Sequence, residues 1–162
     1  SGDRFVIRRF SPVITIGGGV VLDPYSKKRK KKEGISALKI YETASLSEKI
    51  SMKLSLLGLK GMTFKSIIGW SGDEIKKIED AIKYLKDSKL ILQYEDKFIH
   101  KKVFDSIEYM LVDTLKKFHK NNPLKFGMQK EVLRSLFGLS PAVFEEIILI
   151  SEKIVSDKET VR

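Results

Sequence analysis

Six consecutive basic residues, Lys27, Lys28, Arg29, Lys30, Lys31 and Lys32, carry the chemistry most easily read from this chain. Such a run releases counterions on meeting nucleic-acid phosphates and needs no base readout. It serves equally as a solvated linker or the basic start of a helix, and the two readings are compatible. A second set, Lys116, Lys117, Lys120 and Lys125, with Lys130 and Arg134 just beyond, offers a sequence-independent backbone contact, set against an ordinary solvated face. Groups suited to catalysis are sparse. The two histidines, His100 and His119, are too few for most metal sites, and the absence of cysteine excludes disulfides and thiolate ligands. His119 closes an amphipathic segment ahead of Asn121, Asn122 and Pro123, where a histidine hydrogen-bonds terminal carbonyls; His100 ends a strand. The carboxylate pairs Asp73/Glu74, Glu79/Asp80 and Glu145/Glu146 fall in first turns or on solvated faces of helices and not in a shared pocket. Gly17, Gly18 and Gly19 are followed by Val20, so they lack the Lys-Ser or Lys-Thr of a phosphate loop, and no GxxxxGK[ST] occurs elsewhere. A dinucleotide fingerprint needs a helix directly behind its glycines, whereas VVLDPY reads as strand and then stop. Catalytic residues, cofactor and metal are therefore all expected to be absent from these residues.

Charge is unevenly placed. The 162 residues carry 31 Lys/Arg and 21 Asp/Glu, net +10. Residues 1–33 hold nine basic against three acidic side chains, while 34–100 and 101–162 each hold eleven against nine. Basicity thus concentrates ahead of a nearly balanced remainder. No apolar run approaches the roughly 18 residues needed to span a bilayer, and SGDRFV lacks the apolar stretch of a signal peptide, which points to a soluble, cytoplasmic chain.

The elements that must position these groups change character along the chain. Phe5, Ile7 and the branched run Val13 to Ile16 read as strands, and Val20 to Leu22 resume the pattern after the glycines. A ribbon of two or three strands is marginal alone, which suggests the edge of a larger β domain; residues 4–24 are expected to be poorly ordered, or pinned on a neighbouring unit. Beyond Glu33 the apolar period becomes helical. Ile35, Leu38 and Tyr41 mark one helix. Ser45 and Glu48 have capping-box spacing ahead of Leu46, Ile50, Leu54 and Leu57. Thr63 caps a short helix that Gly69 stops, and Ser71 with Glu74 offers another capping box ahead of Ile75, Ile78, Ile82 and Leu85. Strands at Leu90 to Tyr94 and Lys97 to His100 flank a polar turn.

Three helices and a β-hairpin in this order predict a winged helix-turn-helix domain. The pattern recurs. Phe104, Ile107, Leu111, Leu115 and Phe118 line one helix face; Val132, Leu133 and Leu136 mark a short helix; Ser140 and Pro141 open a last one holding Phe144, Ile147 and Ile148. Gly61-Met62 is answered by Gly127-Met128, and Lys89 by Lys153, a near-constant offset that argues for tandem units. The predicted fold is mostly α with small β-sheets: winged-helix domains at 35–100 and 101–162, a basic linker at 27–34, and strands of an incomplete β-barrel at 1–26. The second wing looks cut short.

Three stretches resemble a known family, the bacterial selenocysteine-specific translation elongation factors. DRFVIRR with TIGGGVVLDP resembles the end of their third domain, a barrel like that of elongation factor Tu, with the glycines as a turn. The basic run resembles the junction with the carboxy-terminal extension, and FHKNNPLKFGM, Phe118 to Met128, resembles a motif of the second winged-helix domain. The resemblance implies a parent GTPase that binds GTP with Mg and selenocysteyl-tRNA through its amino-terminal domains, works on the ribosome and grips a messenger RNA hairpin with the last of four winged-helix domains. It implies that these residues form a connecting arm, monomeric, not membrane-bound and itself no enzyme, with nonspecific RNA contacts through the lysines above. The alternative is an independent DNA-binding winged-helix regulator. That reading wants basic third helices, whereas these carry Asp73 and Asp80 beside Lys76, Lys77 and Lys83 in the first unit and Glu145, Glu146 and Glu152 in the second.

Overall fold

A computed structural model describes residues 2–25 and 41–162. The chain opens with a β-hairpin of β1 (Arg4–Arg9) and β2 (Ile14–Val20), antiparallel, with a bulge between Ile7 and Arg8. The glycines expected to form a turn lie inside β2. Gly19 pairs with Phe5, and a Cβ at Gly18 would stand 2.7 Å from the Phe5 carbonyl oxygen, while one at Gly19 would meet the Phe5 ring at 2.9 Å. Side chains are absent there because the opposite strand and its ring occupy the space. The reversal falls instead between Phe10 and Val13. The strands, having only each other, leave Phe5, Ile7, Ile14 and Ile16 exposed.

Residues 41–43 are helical, and Tyr41 is buried. Helix α1 (Leu46–Leu57) begins with the expected capping box: the Ser45 Oγ accepts from the Glu48 amide and Glu48 Oε2 from the Ser45 amide, at 3.3 and 2.7 Å. A short 3-10 turn, Gly58–Lys60, leads to β3 (Met62–Thr63) and α2 (Phe64–Ser71). This helix runs past Gly69 to a left-handed cap at Gly72, because Trp70 is drawn into the core and only the φ > 0 residue ends the turn. Ser71 therefore closes α2, and α3 (Ile75–Asp87) starts from Glu74 without a side-chain cap. Strands β4 (Ile91–Tyr94) and β5 (Lys97–His100) complete the wing, with sheet order β3-β5-β4. Ile50, Leu54, Ile67, Trp70, Ile78 and Leu85 form the first core.

The second unit repeats this plan: α4 (Lys101–Asn121), β6 (Met128–Gln129), α5 (Lys130–Leu136), α6 (Pro141–Ile150) and β7 (Thr160–Val161). Ser140 caps α6 and Pro141 takes its first position. The last residues return as a hairpin: Val155 and Arg162 exchange backbone hydrogen bonds at 2.8 and 2.9 Å, and β7 pairs with β6. Phe104, Leu111, Leu115, Leu133, Phe144 and Val161 are its core, while Val132 and Leu136 face solvent because a seven-residue helix buries only its Leu133 side. The protein is thus mostly helical with small antiparallel sheets in two winged-helix units.

The two units are fused. His100 ends β5 and is the cap residue of α4, so wing passes into helix with no residue between. Leu59 from the 3-10 turn and Leu92 from β4 pack against the second core. Between them and Phe104, Val143, Ile147 and Ile150 the seam leaves about 20 Å³, room for one water.

Candidate nucleic-acid interface

Lys27 to Lys32 lie outside the described residues, as do Ile35 and Leu38. The other lysines gather at one end of the second unit. Lys116, Lys117 and Lys120 occupy the last turns of α4 and point outward from its buried stripe of Leu111 and Leu115; Lys125 follows in the loop. Lys117 is held by Asp113 at 2.7 Å, an exposed (i, i+4) pair whose hydrogen bond raises the lysine's pKa. The Lys125 ammonium lies 5.9 Å from the centre of the Phe118 ring. Among the described residues, Lys116 and Lys120 have no carboxylate within 4.0 Å and remain open to an incoming anion. Lys130 and Arg134 are already used: Lys130 meets Glu145 at 3.5 Å, and Arg134 forks onto Glu131 while its Nη1 donates to the Leu139 carbonyl at 2.6 Å. Among the described residues, four of the six cations flagged in this unit are thus partnered and two are free.

The helices that would enter a groove are mixed or acidic and not uniformly basic. On α6 Glu145 is exposed, and Glu146 sits at the seam, where its charge adds to the burial and the Glu95 contact that raise the Tyr94 hydroxyl's pKa. On α3 the exposed side chains alternate in sign, with Lys77 spent on Glu74 at 3.5 Å. Phosphate would meet carboxylates at both helices.

Both histidines are engaged with neighbouring side chains. His119 packs edge-on against Phe118, and the terminal carbonyl of α4 expected to receive it is taken by Asn122, whose Nδ2 donates to the Phe118 oxygen at 3.0 Å. His100 is buried: its Nδ1 accepts from the Lys102 amide at 3.0 Å, which leaves Nε2 to carry the proton and donate to Ser51 Oγ at 3.1 Å. Burial, with Lys102 nearby, holds its pKa below the ordinary 6.5. Among the described residues no cluster of His, Cys, Asp or Glu could hold a metal ion.

Three arrangements escaped the sequence. Asp23, just past the hairpin, reaches the first unit: Oδ2 takes Lys53 Nζ at 2.6 Å and Oδ1 takes Trp70 Nε1 at 2.9 Å, while Leu22 packs on the core. Burial pushes this carboxyl up, but hydrogen bonds from Lys53, the Tyr25 amide and Trp70 outweigh it and hold the pKa below its ordinary value. The hairpin is therefore pinned. Glu108, buried on α4, accepts from Lys153 Nζ and Ser151 Oγ, both at 2.7 Å, and ties α6's exit to that helix; the Lys153 bond, against burial and helped by Ser151, holds its pKa low. The third is the loop Asn122–Gly127, whose Leu124 and Phe126 project into solvent.

Comparison with known proteins bears on the second unit first. Residues 112–162 match the family model described as elongation factor SelB, winged helix, for the second such domain. This stretch holds most of α4 together with β6, α5, α6 and β7. Over 141 residues, 85% of the chain, it is 26% identical to the selenocysteine-specific elongation factor of Desulfomicrobium baculatum. Both matches are to SelB-type elongation factors. The chain spans 22% of that SelB's length. A solved structure, the mRNA-binding domain of elongation factor SelB from E. coli in complex with SECIS RNA, superposes with a TM-score of 0.48 at 7% identity, over 73% of this chain and 96% of that one. Among the described residues no helix is long and apolar enough to cross a membrane.

Proposed function

We propose that the chain is the winged-helix arm of a SelB-type elongation factor, linking a body that binds GTP and selenocysteyl-tRNA to a messenger-binding end, with nonspecific RNA contacts along the way. The observation that carries this reading is the fused junction. An arm that sets the distance between two binding ends must not bend, and here His100 belongs to both units while Leu59 and Leu92 are packed into the second core. The carboxylates on α3 and α6 favour a spacer over a groove reader, and so over a transcription regulator. The exposed apolar strands β1 and β2 fit the rim of a larger β domain, which the Asp23 latch would hold at a fixed angle to the arm.

RNA contact falls to Lys27, Lys28, Arg29, Lys30, Lys31 and Lys32 and to Lys116, Lys117, Lys120 and Lys125. Such a factor works as a monomer in the cytoplasm. In the full factor, a flexible Gly-Ser insertion between His100 and Lys101 should lower selenocysteine incorporation while GTP and tRNA binding stay intact. Unchanged incorporation would refute the arm. For the basic residues, changing Lys27 to Lys32, with Arg29, to glutamine should weaken RNA binding and flatten its dependence on salt; the same salt slope would leave them a linker.

A further inference from the structure

The loop joining α4 to β6 exposes apolar surface in the most basic stretch of the second unit. Leu124 is 97% and Phe126 86% exposed. Residues 116–130 contain five lysines and no acid. The equivalent connection in the first unit, Gly58 to Gly61, turns its Leu59 inward against the neighbouring core, so exposure is not a requirement of the fold.

The base of the loop is fixed. Asn122 donates to the Phe118 carbonyl from both its amide and its side chain, at 2.9 and 3.0 Å, and accepts from the Lys125 amide at 3.1 Å, which closes a turn around Pro123 and Leu124. Gly127 lies so close to β7 that a Cβ would stand 2.7 Å from the Val161 oxygen. Phe126 is thus presented from a fixed backbone, between a turn and a strand. The carboxy-terminal end of α4 contributes a partial charge of about −0.5; the open ammonium groups of Lys116 and Lys120, with Lys125 over Phe118, exceed it.

We propose that Phe126, flanked by Leu124, is a stacking platform for an unpaired RNA base whose neighbouring phosphates meet Lys116, Lys120 and Lys125. This deepens the reading of the lysines as RNA contacts and rests on it. Aromatic faces beside lysines suit single strands, because every base offers a π face and the phosphates supply the opposite charge. A protruding ring in a cationic loop fits that occupant better than an apolar partner, which would bury the lysines at a cost in desolvation.

The test uses the whole chain, a labelled oligouridylate and an RNA duplex of equal length. Phe126→Ala should weaken oligouridylate binding roughly tenfold, leave duplex binding unchanged and keep the salt slope. Phe126→Trp should retain affinity and Phe126→Leu should lose it, which separates stacking from apolar contact. Lys116→Gln with Lys120→Gln should weaken both ligands and flatten the slope by roughly 0.7 per phosphate lost on single strands. If the lysine variant behaves so and Phe126→Ala binds like the parent, stacking is refuted and the phosphate reading stands. If neither variant matters, both fall. Phe126→Leu binding like the parent, or Phe126→Ala dissolving a dimer, would also overturn the platform.

Discussion

Asp23 and Trp70 meet across 47 residues of chain, indole nitrogen to carboxylate oxygen at 2.9 Å. The other carboxylate oxygen holds the buried Lys53, whose ammonium also lies 5.7 Å from the indole ring centre. One acidic side chain thereby anchors the amino-terminal hairpin, satisfies a buried cation and orients an aromatic ring of the first core.

Replacing Asp23 with alanine should strand the Lys53 charge and remove the carboxylate that accepts from the indole N–H. A loss of about 2 kcal/mol is expected for hydrogen bonds to a charged group. Trp70, the one tryptophan, should report it through a shift in emission, and amide exchange of residues 4–20 should quicken more than that of α1. Equal exchange in the variant and the parent would show the hairpin to be held by other contacts.

His100 supplies a pH dependence whose sign is set first by its burial and then by the nearby Lys102. The folded imidazole takes up a proton only below its ordinary 6.5, whereas the unfolded one does so near that value. Its contribution is complete above pH 6.5 and is lost as pH falls through that value toward the folded pKa. Urea melts across this window should show falling stability, and His100→Gln should flatten the dependence; an equally steep curve in the variant would assign it elsewhere. The cap itself is worth about 1 kcal/mol.

The seam should make the two units unfold together. Leu59→Asp places a charge against the second core and should cost about 2 kcal/mol of apolar burial. Hydrogen exchange should then separate α1 through β5 from α4 through β7, where the parent should exchange as one cooperative block. Two separate blocks already in the parent would rule out the coupling.

Gly18→Ala should destabilise the hairpin, since the new Cβ would stand 2.7 Å from the Phe5 oxygen, a backbone atom that cannot rotate away. Gly17, with open space at its Cβ position, should accept alanine with little effect. Comparing residue 4–20 exchange in the two variants checks this; equal behaviour would contradict the register.

Periodic features were legible in the sequence and distant ones were not. Ile50 and Leu54, Ile78 and Leu85, Phe104 and Leu111 sit one or two turns apart, so their stripe is written locally. The Ser45 and Ser140 caps follow from side chains that reach only three residues. Ser71 misled because Trp70 extended α2 past Gly69, a tertiary pull that no cap spacing records. Asp23 finds Trp70, and Glu108 finds Ser151, only after the chain has folded, and neither pair has a local signature. The glycines of β2 were visible, yet their role depends on Phe5 in the facing strand, which the run itself cannot disclose.

The absence of any residue between wing and helix has a mechanical consequence. Helix α4 has 21 residues, about 31 Å at 1.5 Å per residue, and is clamped at its origin by the first unit while its far end bears the loop around Phe126. It is a lever. Because the junction does not give, a rotation of the first unit by a few degrees would carry that loop through about 2 Å over such a length, enough to break or make a hydrogen bond. Whatever the first unit is fastened to can therefore be sensed at the loop as displacement, with no change in the structure of either unit.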